Sequence, residues 1–157
     1  MLGRAFALVR PELALSQRLA PERLEAVVQA ALSLVVPNLR FTVDPRAVDA
    51  ERRVLEKSVS EQGRAALAKV ARVYVPVATP ADVRQYLEGV ELTAVRAGLL
   101  AAGECEPVKR MVLEETGSAF RVSPKAKLQD LLLFATSDEL RELRVAIGTD
   151  VEVQVKK

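Results

Sequence analysis

The chain of 157 residues is long enough to bury a substantial core, and that core must be aliphatic because 50% of the residues are hydrophobic and only 4% are aromatic. With no histidine and a single cysteine, the chain cannot supply a histidine base, a histidine-containing zinc site, a Ser-His-Asp triad or an intrachain disulfide. The 23 basic and 21 acidic side chains give a net charge of +2, which lacks the strong basic excess typical of nucleic-acid-binding proteins.

Helix signals cover most of the chain. The spacing of apolar residues predicts helices, in chain order, at 2–10, 12–18, 21–36, 44–57, 61–75, 80–102, 105–115, 124–136 and 138–147. In the helix at 61–75, for example, the apolar stripe that should pack on a core consists of Leu67, Val70, Ala71 and Tyr74. The sequence therefore predicts an all-α, multi-helix globular bundle that forms a single domain over residues 1–150.

Side chains that can cap a helix N-terminus precede five of these helices. They are Asp44, Ser60, Thr79, Ser123 and Ser137. Three of the five stand directly before a proline, which is favoured at the first helical position. Of these three, only Thr79 is followed by an acid, Asp82, near the capping-box position.

Two short segments have the composition or alternation of a strand. Phe41-Thr42-Val43 is rich in β-branched residues, and Val151, Val153 and Val155 alternate with polar residues. The three valines of the second segment would share one face of an extended strand. We expect the tail at 151–157 to be extended, with a possible short edge strand at 151–155 that packs on the domain or pairs with another chain.

The helix at 80–102 is apolar around almost its whole circumference, which predicts a central, buried helix. Ala94, Ala97 and Leu100 should therefore be largely buried. Glu91 lies in the same apolar surround, where a carboxylate needs a partner. Just beyond the helix, the single cysteine, Cys105, is expected to act as a small buried apolar residue.

Glu91 also begins a segment that resembles one part of a known enzyme family. Residues 91–97, ELTAVRA, followed by GECEP at 103–107, are similar to the gluzincin metallopeptidases of the CAAX-prenyl-protease type. In that family a helix with the pattern E-x-x-A-D carries the third zinc ligand, and an upstream HExxH helix carries the rest of the site. Val95 stands here in place of the aspartate.

The upstream helix of that family corresponds to residues 2–12 of this chain. On this alignment Gly3 and Ala7 occupy the histidine positions and Arg4 that of the catalytic glutamate, so the resemblance implies an inactive relative without zinc. It also implies that the two helices face each other. We therefore expect Glu91 to form a structural ion pair with Arg4 or Arg10, with Arg96 as a local alternative.

A second resemblance covers the whole chain. The patterns LGRA and RPE within 2–12, GVELTAVRAGL at 89–99 and DLLLFATSDE at 130–139 are similar to the C-terminal regions of large bacterial proteins that carry tetratricopeptide repeats. That resemblance implies no known activity. Because no capping residue precedes Leu2, the first helix looks cut at its start. We expect the chain to be the C-terminal part of a larger protein.

Three functional interpretations follow. The first, which we favour, is a non-catalytic helical protein-interaction or scaffold domain that contacts a protein partner or the remainder of a larger chain. The second is an inactive metallopeptidase remnant with a regulatory role. On either interpretation the chain is not an enzyme and needs no cofactor. The lack of a targeting segment and of a membrane-length apolar run predicts a cytoplasmic location without membrane association.

The third interpretation is a weak nucleic-acid-binding module. It rests on basic residues that lie close together in the sequence: Lys109, Arg110, Arg121, Lys125 and Lys127. Acidic residues at 114, 115 and 130 interrupt this cluster, and no aromatic stacking platform accompanies it. Nucleic acid is therefore an unlikely partner, and the sequence leaves the oligomeric state open.

Overall fold

The structure is a computed structural model that describes residues 7–8, 10, 13–79, 82–115 and 122–149. Within these residues there are eight helices and no strands, which confirms the predicted all-α fold class. The helices are α1 (Ala14–Arg18), α2 (Pro21–Ser33), α3 (Pro45–Ser58), α4 (Glu61–Tyr74), α5 (Asp82–Ala102), α6 (Cys105–Glu114), α7 (Pro124–Ala135) and α8 (Asp138–Ala146). The predicted strand at 151–155 lies outside the described residues.

The predicted capping residues begin their helices as expected. Side-chain oxygens of four of them accept hydrogen bonds from backbone N–H groups of the first helical turn: Asp44, Ser60, Ser123 and Ser137. Thr79 instead donates its backbone N–H to Asp82 Oδ2 at 3.1 Å, and its hydroxyl also bonds the same carboxylate. The bond from the Thr79 N–H to Asp82 is the half of the capping box in which the acid at the third helical position reaches back to the capping residue; the Asp82 N–H donates to the Thr79 carbonyl oxygen rather than to its hydroxyl.

Phe41-Thr42-Val43 does not form a strand, so this prediction is wrong. The segment connects α2 to α3 and is bonded to α2 through side chains. The Thr42 N–H donates to Gln29 Oε1 at 3.0 Å, and the Thr42 hydroxyl donates to Glu25 Oε1 at 2.9 Å. The Gln29 side chain thus satisfies a backbone N–H that a neighbouring strand could otherwise have paired.

Residues Leu15–Leu87 form one compact unit, called the amino unit below. Helix α2 packs against both α3 and α4, and Arg23 of α2 forms an ion pair with Glu51 of α3 at 2.7 Å. The buried hydrophobic residues of this unit are Leu24, Ala26, Ala30, Leu32, Val48, Ala71 and Leu87. As the composition predicts, this core is aliphatic.

The described parts of Met1–Ala14 and Glu88–Lys157 form a second compact unit, called the carboxyl unit. Its core is built by α5, α6, α7 and α8. It consists of Val95, Leu99, Val108, Val112, Leu131, Phe134 and Leu140. The predicted single domain over 1–150 stays a prediction, because two compact units can belong to one domain.

Helix α5 buries one continuous stripe rather than its whole circumference. Val90, Ala94, Val95 and Leu99 are buried, whereas Gly89 and Thr93 are exposed. Ala94 is thus buried as predicted, but Ala97 and Leu100 are only partly buried. Small residues such as Gly89 and Ala97 count as apolar in the sequence, but they can lie on a side of α5 that no other helix covers.

Cys105 is exposed, so its predicted burial is wrong. It is the first residue of α6 and follows a surface turn at Gly103, whose φ of +75° is the left-handed conformation that glycine tolerates. None of the described helices has the length and apolar character that crossing a bilayer requires.

Candidate functional site

The carboxyl unit contains a buried ion network centred on Lys127. The Lys127 ammonium lies 2.8 Å from Glu115 Oε2 and 3.2 Å from Glu91 Oε2, and the lysine side chain is only 1% exposed. Both carboxylates are largely buried as well. Glu91 Oε2 also accepts the backbone N–H of Val122 at 3.2 Å. The Glu91 carboxylate, which the sequence singled out, therefore has a cationic partner that the sequence analysis did not name.

Three separate elements bring this network together. Glu91 projects from α5, Glu115 follows the last residue of α6, and Lys127 belongs to the first turn of α7. A buried charge is tolerated when opposite charges and hydrogen bonds compensate it. The enclosed ammonium thus connects α5, the residue that follows α6, and α7.

The predicted arginine partners of Glu91 have different outcomes. Arg4 lies outside the described residues. Arg10 is exposed, and its pairing with Glu91 stays a prediction. Arg96, the local alternative, instead pairs with Asp130 of α7, through Nε to Oδ2 at 2.9 Å and Nη2 to Oδ1 at 2.5 Å.

The Arg96 guanidinium also lies over the Phe134 ring, 5.2 Å from its centroid. Its hydrogen bonds with Asp130 raise the pKa of Arg96 above the usual value, so the guanidinium stays charged. This contact links α5 to α7 on the outer side of the core, since the Arg96 side chain is 39% exposed.

Arg96→Lys should lower the free energy of unfolding by about 0.5–1.5 kcal/mol, because lysine keeps the charge but loses the two-point contact and the planar stacking. Partial exposure of the guanidinium keeps this value small. Urea unfolding followed by circular dichroism measures it. Arg110→Lys, at an exposed position of α6, is the matched control and should leave stability unchanged. Equal stabilities for the two variants would contradict the structural role of the Arg96–Asp130 contact.

The basic residues of the nucleic-acid interpretation do not form one surface cluster. Lys127 is buried and its ammonium forms ion pairs with two carboxylates, so it is not available to a phosphate at the surface. Lys109 is exposed and pairs with Glu106 at 3.3 Å, while Arg110 and Lys125 are exposed. Arg121 lies outside the described residues. The same is true of the proposed interaction strand, Val151, Val153 and Val155.

Helix α4 has an exposed apolar surface that the sequence analysis missed. It consists of Ala66, Val70 and Val73 of the helix together with Val77 just beyond it, which we call the α4 seam. The three valines are 63%, 76% and 72% exposed. Intervals of four and three residues place Ala66, Val70 and Val73 along one face of α4, and Val77 lies in the turn that follows Tyr74, the last residue of the helix. That spacing was visible in the sequence, but it overlapped the predicted stripe that contained Val70.

The amino unit also has a half-open cavity of about 250 Å³. Its walls come from α2, from the connection at residues 39–42, from the end of α4 and from the start of α5. Apolar side chains dominate the walls, with Glu25, Arg40 and Tyr74 among the polar ones. Among the described residues, no group of three or more cysteine, aspartate or glutamate side chains is arranged to hold a metal ion.

Tyr74 in this cavity should ionise at unusually high pH. Its burial, the hydrogen bond to Asp82 and the negative charges of Asp82 and Glu25 raise the pKa of the phenol above its usual value near 10. Because the pKa of Tyr74 is higher in the folded than in the unfolded protein, the protonated phenol contributes to the free energy of unfolding. That contribution is complete below about pH 10 and is lost as pH rises through the folded-state pKa.

The pKa of Tyr74 can be measured by following phenolate absorbance in a Tyr86→Phe variant, which has one tyrosine left. The midpoint should exceed about 10. Asp82→Asn in the same background should lower it, because this change removes a nearby negative charge and replaces a charged hydrogen-bond acceptor by a weaker neutral one. A midpoint at or below 10 in the folded protein would show that burial, Asp82 and Glu25 do not raise the pKa of Tyr74.

Comparisons with known proteins found no matching family model, no matching curated protein and no matching solved structure. The resemblances to gluzincin metallopeptidases and to the C-terminal regions of tetratricopeptide-repeat proteins therefore stay predictions.

Proposed function

We propose that the chain is a non-catalytic helical protein-interaction domain whose contact surface is the α4 seam. The observation that supports this proposal is the exposure of Val70 and Val73 on one face of α4 and of Val77 in the turn that follows it. Large contiguous apolar surfaces are uncommon on monomeric proteins and typically mark interaction sites. Complete burial of each valine would contribute about 1.5 kcal/mol or more.

The shape of the seam suits a helix as the binding element. Ala66, Val70 and Val73, at intervals of four and three residues, form a ridge along α4 that an amphipathic helix can cover. Lys69 and Arg72 lie beside this ridge on the exposed side of α4, and neither forms an ion pair with another described residue. An apolar helix face bordered by acidic side chains would complement them.

A second copy of this chain is a poorer match to the same surface. Two α4 helices packed together would bring Lys69 and Arg72 of each copy near those of the other, and like charges at an interface disfavour association. We therefore infer that the partner is a different protein, or another part of a larger chain, that presents an acidic amphipathic helix.

Affinity capture with matched variants tests this function. Immobilised wild-type protein and Leu133→Ser should retain the same partner, whereas Val70→Ser with Val73→Ser should lose it. Leu133 of α7 is 73% exposed, so its replacement controls for the loss of a surface leucine. All three proteins should melt at similar temperatures, since exposed substitutions typically change stability by about 0.5 kcal/mol or less.

Charge reversal then tests the chemistry of the partner. Lys69→Glu with Arg72→Glu should weaken binding of a captured protein and reduce the salt dependence of that binding. Identical capture by wild-type protein and the double valine variant would overturn the proposal. So would concentration-dependent dimerisation through the seam, because that would identify a second copy as the occupant.

A further inference from the structure

We propose that the cavity of the amino unit binds a small apolar molecule that carries an ammonium group, with the Glu25 carboxylate as its counter-ion. This site is separate from the α4 seam and does not depend on the proposed protein interaction. The hydrogen bonds of Glu25, the walls of the cavity and its volume point to this ligand.

The Glu25 carboxylate is held in place by neutral donors through one oxygen only. Oε1 accepts the Thr42 hydroxyl at 2.9 Å and the Gln29 side-chain amide at 3.3 Å. Oε2 accepts no hydrogen bond from the described residues, and no described cation lies within ion-pair distance of the carboxylate. The cavity wall therefore carries a positioned negative charge with a free acceptor oxygen.

The bonds that orient Glu25 also fix its surroundings. Gln29 bonds both Glu25 and Thr42, and the Thr42 backbone N–H returns to the Gln29 side chain at 3.0 Å. This closed set of contacts joins α2 to the connection that follows it. A ligand would meet a carboxylate that is already oriented, which lowers the entropic cost of binding.

The rest of the lining is apolar and selects the other part of the ligand. Val28 and Leu32 of α2, Val75 beyond α4 and Val83 of α5 contribute to the walls. Drug-sized ligands occupy pockets of about 300–1,000 Å³. At about 250 Å³ this cavity suits a smaller molecule, such as a short alkylammonium ion. One carboxylate among apolar walls is a poor site for a hydrated metal ion, which needs several oxygen ligands.

Hexylammonium is a suitable probe, with hexanol as its uncharged counterpart. Binding can be followed by the fluorescence of Tyr74, which lines the cavity, in the Tyr86→Phe variant of the full chain. Hexylammonium should bind saturably. Hexanol should bind about tenfold more weakly, because it cannot form the charge-assisted hydrogen bond to Glu25.

Two substitutions that remove charges of opposite sign distinguish the loss of the counter-ion from partial unfolding. Glu25→Gln keeps an oxygen for Thr42 and Gln29 but removes the charge, and should weaken hexylammonium binding about tenfold. Arg40→Gln removes an exposed cation from the cavity lining and should leave binding unchanged or tighten it. Partial unfolding would instead weaken binding in both variants.

Glu22→Gln is the matched control, since Glu22 is exposed in the first turn of the same helix, and it should bind hexylammonium as the parent does. Equal affinities for hexylammonium and hexanol would overturn the proposal, as would unsaturable binding or unchanged binding by Glu25→Gln. The first two outcomes need no Glu25 variant, so the test stands even if that variant is unstable. Val73→Ser should not alter binding, which keeps this result distinct from that of the α4 seam.

Discussion

Replacing Lys127 by methionine should lower the free energy of unfolding by about 3–5 kcal/mol, the typical cost of breaking a buried ion pair by removing one partner. Methionine fills a similar volume without a charge, so the loss should come from electrostatics rather than from a cavity. The Glu91 and Glu115 carboxylates would remain in the interior of the carboxyl unit without the ammonium that lies 3.2 and 2.8 Å from them. Urea unfolding followed by circular dichroism measures this loss.

Two further variants assign that cost to the network. Lys125→Met changes an exposed lysine on the same helix, and should shift stability by about 0.5 kcal/mol or less. Adding Glu91→Gln and Glu115→Gln to Lys127→Met should restore much of the lost stability, because neutral amides cost less to bury than uncompensated carboxylates. If Lys127→Met matched Lys125→Met, the ammonium would not be compensating the two carboxylates.

The fold class was predictable because its signals are local. Apolar spacing and N-cap side chains such as Asp44 and Ser60 act within one or two helical turns, so they can be recognised without knowing the tertiary structure. The Thr79–Asp82 contact belongs to the same kind of signal. The strand predicted at Phe41–Val43 does not form, and local signals could not reveal this, because a strand needs a partner strand elsewhere in the chain.

The partner of Glu91 depends on tertiary packing and could not be read from the sequence. That partner, Lys127, was instead grouped with the basic residues of the nucleic-acid interpretation, which would have to lie on the surface. Lysine is rarely fully buried, which made Lys127 look like a surface cation. Yet the sequence carried a usable signal. Lys127, Leu131 and Phe134 are spaced by four and three residues, so all three share the buried face of α7.

Helix α4 shows a different limit. It has apolar residues on more than half of its circumference, so spacing alone cannot decide which of them are buried. Ala71 of the predicted stripe is buried and Leu67 and Tyr74 are partly buried, but Val70 is 63% exposed. Only the packing of α4 against α2 distinguishes the two faces, and that is also why the α4 seam was missed.

Three consecutive leucines of α7 offer the clearest test of the carboxyl-unit core. Leu131 is 1% exposed and packs with Leu99, Val112 and Phe134, whereas Leu132 is 62% exposed. Leu131→Ala should lower the free energy of unfolding by about 2–5 kcal/mol, because it removes buried methyl groups and leaves a cavity that neighbouring helices fill only in part.

Leu132→Ala removes the same atoms from the adjacent position of the same helix. It should cost about 0.5 kcal/mol or less, since the leucine side chain is mostly in solvent in the folded protein. The change in helix propensity is the same for both substitutions, so the difference between them isolates the effect of burial. Urea unfolding of both variants measures that difference. Equal losses would mean that α7 presents a different face to α5 and α6, and that the Lys127 network, which depends on the same orientation, is not formed.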